Sequence, residues 1–329
     1  MMKKIVFILI SITFFWGCKN SNNSTPIKPN PSGKTGEIIV IIPDKQWEGK
    51  VGDTIFFALS KPFGVLPQDE PYFNIVHLQK NAFKNIFKTH RNIIFINISK
   101  DYPEPKIKIE RNIWAKLQLV YRFYAPDTAA FFKLWTENID GIMQKIYDEE
   151  LSRYSLSYKK SLNEKAISKI KENFDISLQI PVNYNLDVLK DHFAWISNET
   201  NVSSQGIFIY DYPYVDSNTF TTDYIIKKRD MITKLNVPGP TEGSYMQTEK
   251  RVPFKVEQMN LNGNYTYVIR GLWYTENYFL GGPFVSYSIL DTARNRVVTV
   301  EAYIYAGKQE KKLYVWQTEA VLRSIKILK

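Results

Sequence analysis

Between residues 298 and 305 the chain alternates. Val298, Val300, Ala302 and Ile304 fall on one side, and Thr299, Glu301, Tyr303 and Tyr305 on the other. A period of two marks a strand with one buried face. The same region supplies a hairpin. Asn262-Gly263 separates Val256–Leu261 from Tyr265–Trp273, and Asn and Gly tolerate the positive φ of a two-residue turn. A loop closing at Gly281-Gly282-Pro283 leads to a strand over Phe284–Leu290, and the polar turn Asp291–Asn295 leads to Arg296–Tyr305. From about Lys308 the period lengthens. Leu313, Trp316, Ala320, Val321 and Ile325 share one helical side, with Glu319 and Arg323 on the other.

The earlier chain is less regular. Ile38–Ile42 is a continuous apolar run, which predicts a strand covered on both faces. Asp53–Ser60 predicts a helix that stops before Pro62, and Phe73–Leu78, Asn92–Ile98 and Ala115–Tyr124 predict strands. Asp127 is placed to cap a long helix in which Phe132, Trp135, Ile139, Met143 and Ile146 recur at helical spacing. A charged connector follows through Lys171, with a domain boundary near Asp175. Ile176–Ile180 and Gln205–Asp211 then read as strands, and Thr222–Leu235 as a helix broken at Val237-Pro238-Gly239-Pro240. Strands arrive in runs rather than alternating with helices. That predicts α+β architecture: antiparallel sheets with helices packed on one face, in two halves of similar element order, residues 37–174 and 175–329.

The first 36 residues read differently. A basic start, an apolar run over Ile5–Phe15 and a small residue at Gly17 describe an export signal over residues 1–17. The run is too short for a bilayer span of about 20 residues. The single cysteine, Cys18, follows directly. This resembles the lipobox of bacterial lipoproteins, with Phe15 standing where Leu is usual, and implies acylation of Cys18 as the membrane anchor. Residues 18–36 are rich in Asn, Ser, Pro and Lys and predict a flexible tether. Gly33-Lys34-Thr35 has the ending of a phosphate loop, but Lys28 occupies the first glycine position and no apolar strand precedes it.

Charge and motif content narrow the chemistry. The formal charge is +10, from 43 Lys and Arg against 33 Asp and Glu. The lysines are scattered, with no arginine-rich helix or zinc spacing, so an anionic envelope surface fits better than nucleic acid. His77, His90 and His192 lack partners at ligand spacing, which leaves no expected metal or cofactor and no recognised catalytic set. Asp148, Glu149 and Glu150 read as a solvated helical face. Asp211 and Asp216 flank the aromatic loop Tyr212-Pro213-Tyr214. The densest ligand-like cluster is Arg270, Trp273, Tyr274, Glu276, Tyr278, Gly281 and Gly282. It offers a guanidinium fork, stacking faces, a carboxylate and close backbone approach. The alternative is that Arg270 pairs with Glu276 or Glu301 inside the fold.

The runs Arg270-Gly271-Leu272-Trp273, Gly281–Ser286, Glu301–Ala306 and Glu319–Ile325 resemble a family of uncharacterised Bacteroidota lipoproteins. Leu66-Pro67-Gln68, Glu70-Pro71 and His90-Arg91-Asn92 resemble its first-half motifs. The resemblance spans the mature chain and carries a domain-of-unknown-function label with no catalytic residues. It implies an exported, lipid-anchored protein of a Gram-negative envelope. Lys19 and the Asn and Ser residues after it, in place of acidic residues, favour the periplasmic face of the outer membrane. That setting also implies O-glycosylation at Asp-Thr motifs, here Thr54, Thr128 and Thr292. The expected role is non-enzymatic binding of an envelope protein or glycan. The alternative is a carboxylate-dependent hydrolase of cell-wall or glycan material, using Glu276 and Asp211.

Overall fold

The computed structural model describes residues 28–328, so Cys18 and the expected signal segment lie outside the described residues. The first half is built on a five-stranded sheet in the order β2-β1-β3-β5-β4. Its strands are β1 (Glu37–Ile41), β2 (Asn74–Leu78), β3 (Asn92–Ile98), β4 (Lys106–Arg111) and β5 (Leu119–Ala125). The first three and β5 pair in parallel, and β4 is antiparallel on the edge. Both faces of β1 are covered, as its unbroken apolar run requires. Ile38 and Val40 enter the main core, while Ile39 and Ile41 join a smaller cluster with Ile93, Phe95 and Val120.

Short helices α1 (Asp44–Trp47) and α3 (Asn85–Lys88) and the longer α2 (Lys50–Ser60) connect these strands. The long α4 (Thr128–Tyr158) starts where Asp127 accepts from the Ala130 amide at 2.8 Å. The stretch expected as a connector contains α5 (Glu164–Phe174), whose Ala166, Ile170 and Phe174 form a buried stripe. Part of the segment expected as tether is pinned to the body. The Ser32 amide donates to Thr89 at 2.9 Å and the Lys116 amide to Pro29 at 2.8 Å.

The second half is an antiparallel eight-stranded sheet, β10-β12-β13-β14-β9-β8-β7, with β11 beside β12. A two-stranded ladder of β6 (Ile176–Ser177) and β15 (Lys326–Ile327) lies apart from it. The strands are β7 (Asn185–Lys190), β8 (Phe193–Glu199), β9 (Ser204–Pro213), β10 (Tyr245–Glu249), β11 (Lys255–Leu261), β12 (Asn264–Glu276), β13 (Tyr278–Asp291) and β14 (Arg296–Tyr305). The β11–β12 turn is the expected one, with φ of 52° at Asn262 and 90° at Gly263. The two halves thus share an α+β character but differ in strand direction.

Gly281-Gly282-Pro283, expected as a loop, lies within β13. There Gly282 pairs with Trp273 and Pro283 with Leu272. A Cβ on Gly282 would fall 1.9 Å from the Ile304 carbonyl oxygen, and one on Gly281 2.8 Å from that of Trp273. The glycines therefore let neighbouring strands approach.

Helices α4 and α7 (Lys312–Leu322) fill the layer between the sheets, and one continuous core runs through both halves. On the far face of the second sheet lies α6 (Thr222–Asn236), with Ile225 and Ile226 packed among Phe208, Tyr210 and Phe284. This sheet is therefore covered on both faces. No helix among the described residues is long and apolar enough to cross a membrane.

Glu70, in one of the first-half motifs, caps α7 from across the molecule. Its carboxylate accepts from the Lys311 amide at 2.6 Å and the Lys312 amide at 2.8 Å. These amides have no partner within the helix, and a buried anion satisfies both their hydrogen bonds and the helix dipole. Glu70→Ala is expected to cost about 2 kcal/mol in urea unfolding. A loss below about 0.5 kcal/mol would show that the cap does not hold α7 to the first half.

Candidate functional site

The cluster expected from the sequence is divided by the sheet it sits on. Successive side chains of a strand point to opposite faces. Arg270 turns towards α7, and Trp273 turns to the α6 face.

Arg270 is committed to structure. Its guanidinium makes a two-pronged pair with Glu319 of α7, at 2.7 and 2.6 Å. The Tyr287 hydroxyl donates to the same carboxylate at 2.6 Å, the Tyr147 hydroxyl donates as well, and Arg323 reaches it at 3.3 Å. Burial alone would raise the Glu319 pKa, but Arg270, then Arg323 and Tyr147, hold it down to about 2. Neither Glu276 nor Glu301, the partners considered from sequence, pairs with Arg270. Glu301 pairs instead with Arg229 of α6 at 2.7 Å, fully buried on the other face. Tyr274 donates to Glu276 at 2.9 Å on Arg270's side of the strand, and Tyr278 is half-exposed.

The three adjacent acids of α4 are also ion-paired, and only Asp148 is exposed to solvent while Glu149 and Glu150 are buried. Asp148 pairs with Arg323, Glu149 with Arg111, and Glu150 with Arg91 and Arg153. The motif residue Asn92 adds a 2.8 Å bond to Glu150. His90 lies 2.8 Å from Glu37. The hydrolase pair does not meet. Along β13, the position facing Tyr274 and the one aligned through Val298 with Asp211 are eight residues apart, Gly281 to Ile289. That is about 26 Å of strand, with Glu276 farther still. A glycosidase pair needs about 5–10 Å.

The α6 face holds a different site. Three adjoining clefts form one groove between the C-terminal half of α6 and strands β7 to β9. The first, of about 370 Å³, is lined by Trp195, Trp273, Tyr303 and Tyr305 with Glu199 at its edge. The second, of about 620 Å³, shares Trp195 and Pro238 with the first and adds Val188, Lys190 and Lys234. The third, of about 580 Å³, shares Leu235 with the second and ends at His192, Asp211 and Lys228. Of β8, Trp195 and Glu199 line the first cleft and Trp195 the second, and His192, just before β8, lines the third.

The aromatic end is built by cross-strand packing. The Tyr303 ring lies 4.9 Å from Phe208, 5.7 Å from Trp273 and 6.2 Å from Trp195. Gly206 faces Tyr303 across the ladder, and a Cβ there would come within 1.9 Å of the ring. A glycine opposite an aromatic lets the ring lie flat over its neighbour strand. Leu280 lines the cleft, and beside it Phe279 is fully exposed.

At the other end His192 occupies the β7–β8 turn with φ of 62°, a left-handed conformation that His adopts more readily than most residues. Its Nδ1 lies 2.9 Å from Asp211, which also accepts from Arg296 at 2.8 Å. Asp216 is a cap for the 3-10 turn at 217–220 rather than part of the site. Among the described residues no cluster of three potential ligands could hold a metal ion.

Trp273 is the one member of the expected cluster that lines this groove. Trp195, Tyr303 and Lys228 were missed. The alternation Phe193, Trp195, Ser197, Glu199 was present in the sequence, but no Asn-Gly turn announced it.

Residues 163–324 match the family model described as Domain of unknown function (DUF4837), and residues 31–159 match Domain of unknown function (DUF8532). Two domains of unknown function cover the chain. No curated protein matches significantly. Among solved structures, the Ran-binding protein Mog1p of Saccharomyces cerevisiae is similar over 47% of this chain and 91% of its own, at 11% identity and a TM-score of 0.32. A mutant of protein Mog1 gives 12% identity and 0.31, over 47% and 92%. A protein of Bacteroides thetaiotaomicron gives 10% identity and 0.26, over 47% and 46%. Likeness at this level assigns no partner or activity.

Removing the Glu319 carboxylate strands Arg270 in the core, so Glu319→Gln is expected to cost about 3–5 kcal/mol in denaturant unfolding at neutral pH. The folded pKa of Glu319 lies below its ordinary value of 4.5, so its contribution is complete above that value and fades as pH falls towards 2. The gap between wild type and variant should therefore narrow from pH 5 to pH 3. An equal gap at both would sink the assignment.

Proposed function

We propose that this chain is a non-enzymatic binding protein of the cell envelope, and that the groove beside α6 holds an extended glycan. The observation that carries the reading is the pair of partly exposed rings Trp195 and Tyr305, backed by the buried rings of Trp273 and Tyr303, along one cleft of a groove that continues past α6. Flat aromatic faces suit the apolar faces of sugar rings. The centre of the groove floor is the face of interior strands β8, β9 and β14, whose backbone groups are already paired. An extended peptide added as a strand needs a free sheet edge, which the groove meets only at its margins, in β7 and β10. Catalysis is not part of the reading, because Glu276 and Asp211 lie at opposite ends of the sheet.

The anchoring part of the proposal rests on sequence. The export signal, Cys18 and the tether support a protein fixed by lipid on Cys18 to the outer membrane and facing the periplasm. Thr128 and Thr292 are exposed and Thr54 partly so, which keeps each accessible to O-glycosylation.

Two measurements test this. Trp195 sits in the groove, so chitotetraose and soluble peptidoglycan fragments should change the intrinsic fluorescence on titration. Trp195→Ala and Tyr305→Ala should each weaken binding by about tenfold. No response at millimolar fragment, or unchanged affinity in both variants, would remove the glycan reading. The intact mass of protein from membranes of its native host should show a chain starting at Cys18 with acyl groups, plus sugar at one or more of the three threonines. A mass matching the full unmodified sequence would end both ideas.

A further inference from the structure

We infer that the ligand of this groove is acidic, a glycan bearing carboxylates along its length; the inference rests on the glycan reading above and adds its charge. The argument is a charge count along the groove. Its lining carboxylates are Glu199 and Asp211. Asp211 is already engaged by Arg296 at 2.8 Å and by His192 at 2.9 Å. The lining arginines are likewise spent: Arg296 also reaches Asp291 at 2.9 Å, and Arg294 pairs with Asp175 at 3.0 Å.

Three lysines remain. Lys190 donates to the neutral Asn236 at 3.1 Å. Lys228 lies over the Tyr224 ring at 5.5 Å, and Lys234 over the Tyr245 ring at 4.8 Å. None of the three pairs with a carboxylate among the described residues. All three line the second and third clefts, whose apolar wall includes Val188, Met231, Ile232 and Leu235. Against them stands Glu199 alone, at the aromatic end, accepting from Ser204 at 2.6 Å.

The groove is thus aromatic with one carboxylate at one end, and over the rest mixes apolar wall and already paired polar groups with three cations that no carboxylate pairs among the described residues. A neutral sugar chain would leave those ammonium groups without counter-charge, while one carrying carboxylates would pair with them beside low-dielectric walls. Cations spread along the groove fit acids recurring along a chain better than one terminal acid.

A matched pair of ligands tests this. Chitotetraose and the peptidoglycan tetrasaccharide of alternating N-acetylglucosamine and N-acetylmuramic acid share a backbone and differ in the lactyl carboxylates. Calorimetric titration of the chain from Cys18 onward should show the acidic tetrasaccharide binding about threefold more tightly, because each of its two lactyl carboxylates can meet an exposed lysine. The preference should shrink as salt rises from 50 to about 500 mM. The triple variant Lys190→Gln, Lys228→Gln, Lys234→Gln alters side chains that project into the groove, so it should stay folded. It should lose the preference while keeping its chitotetraose affinity.

Equal binding of the two sugars would overturn the inference and leave the glycan reading standing. Binding of neither would overturn both. Tighter binding of a poly-glutamate decamer than of either sugar would overturn the inference in favour of an acidic protein partner.

Discussion

The carboxylate of Glu319 is the point at which the two halves are joined. It belongs to α7, receives Arg270 from β12 and Tyr287 from β13, and takes a further hydrogen bond from Tyr147 of α4. A charge buried this deeply is tolerated only when its lone pairs are filled. Because three elements supply the donors to a carboxylate on a fourth, none can shift without unsatisfying the others. Glu70 fixes the other end of the same helix from the first half. The layer between the sheets is therefore positioned by polar contacts at its ends and filled by Trp135, Trp316 and Leu322 between them. Non-directional apolar packing alone would leave α7 freer to slide.

A second buried pair works on the far face. Arg229 of α6 meets Glu301 of β14, lies 4.2 Å over the Phe284 ring, and donates to Thr248 of β10 at 2.8 Å. Burial raises the Glu301 pKa even though Arg229 opposes it. The consequence is positional. With α6 pinned through Arg229, its next exposed turn, Met231 to Leu235, overhangs β8 and forms one wall of the groove. The groove is what remains when a helix is fixed at one point across a sheet wider than itself.

These arrangements were legible to different degrees. Asn262-Gly263 announced its hairpin because two consecutive positive-φ positions demand that chemistry. Helix α4 was legible because one buried stripe fixes a period. The parallel pairing of β1, β2 and β3 was not, since a short apolar run carries no direction. Gly281-Gly282-Pro283 misled for a physical reason: the residues that usually break a strand are here required by an adjacent carbonyl and an indole. The β7–β8 turn hid because His192 takes the left-handed position usually given to Asn or Gly. The candidate site was mostly invisible. Arg270 and Trp273 stand three apart in sequence and on opposite sides of the sheet, so proximity along the chain suggested a site that strand geometry divides.

That division bears on how recognition works here. The centre of the groove floor belongs to β8, β9 and β14, strands with partners on both sides, so their amides and carbonyls are occupied. Recognition then falls to side chains of two kinds. Aromatic rings held in place by Gly206 and Gly282 provide area with little rotamer entropy to lose. Polar groups stand at the rim, on the α6 end, the β7–β8 turn and the β8–β9 edge, where they remain hydrated until a ligand arrives. A site of this kind discriminates by outline and charge more than by a dense hydrogen-bond code. On the proposed reading its affinity should grow with the length of ligand laid along it, since each added unit covers another stretch of the same floor.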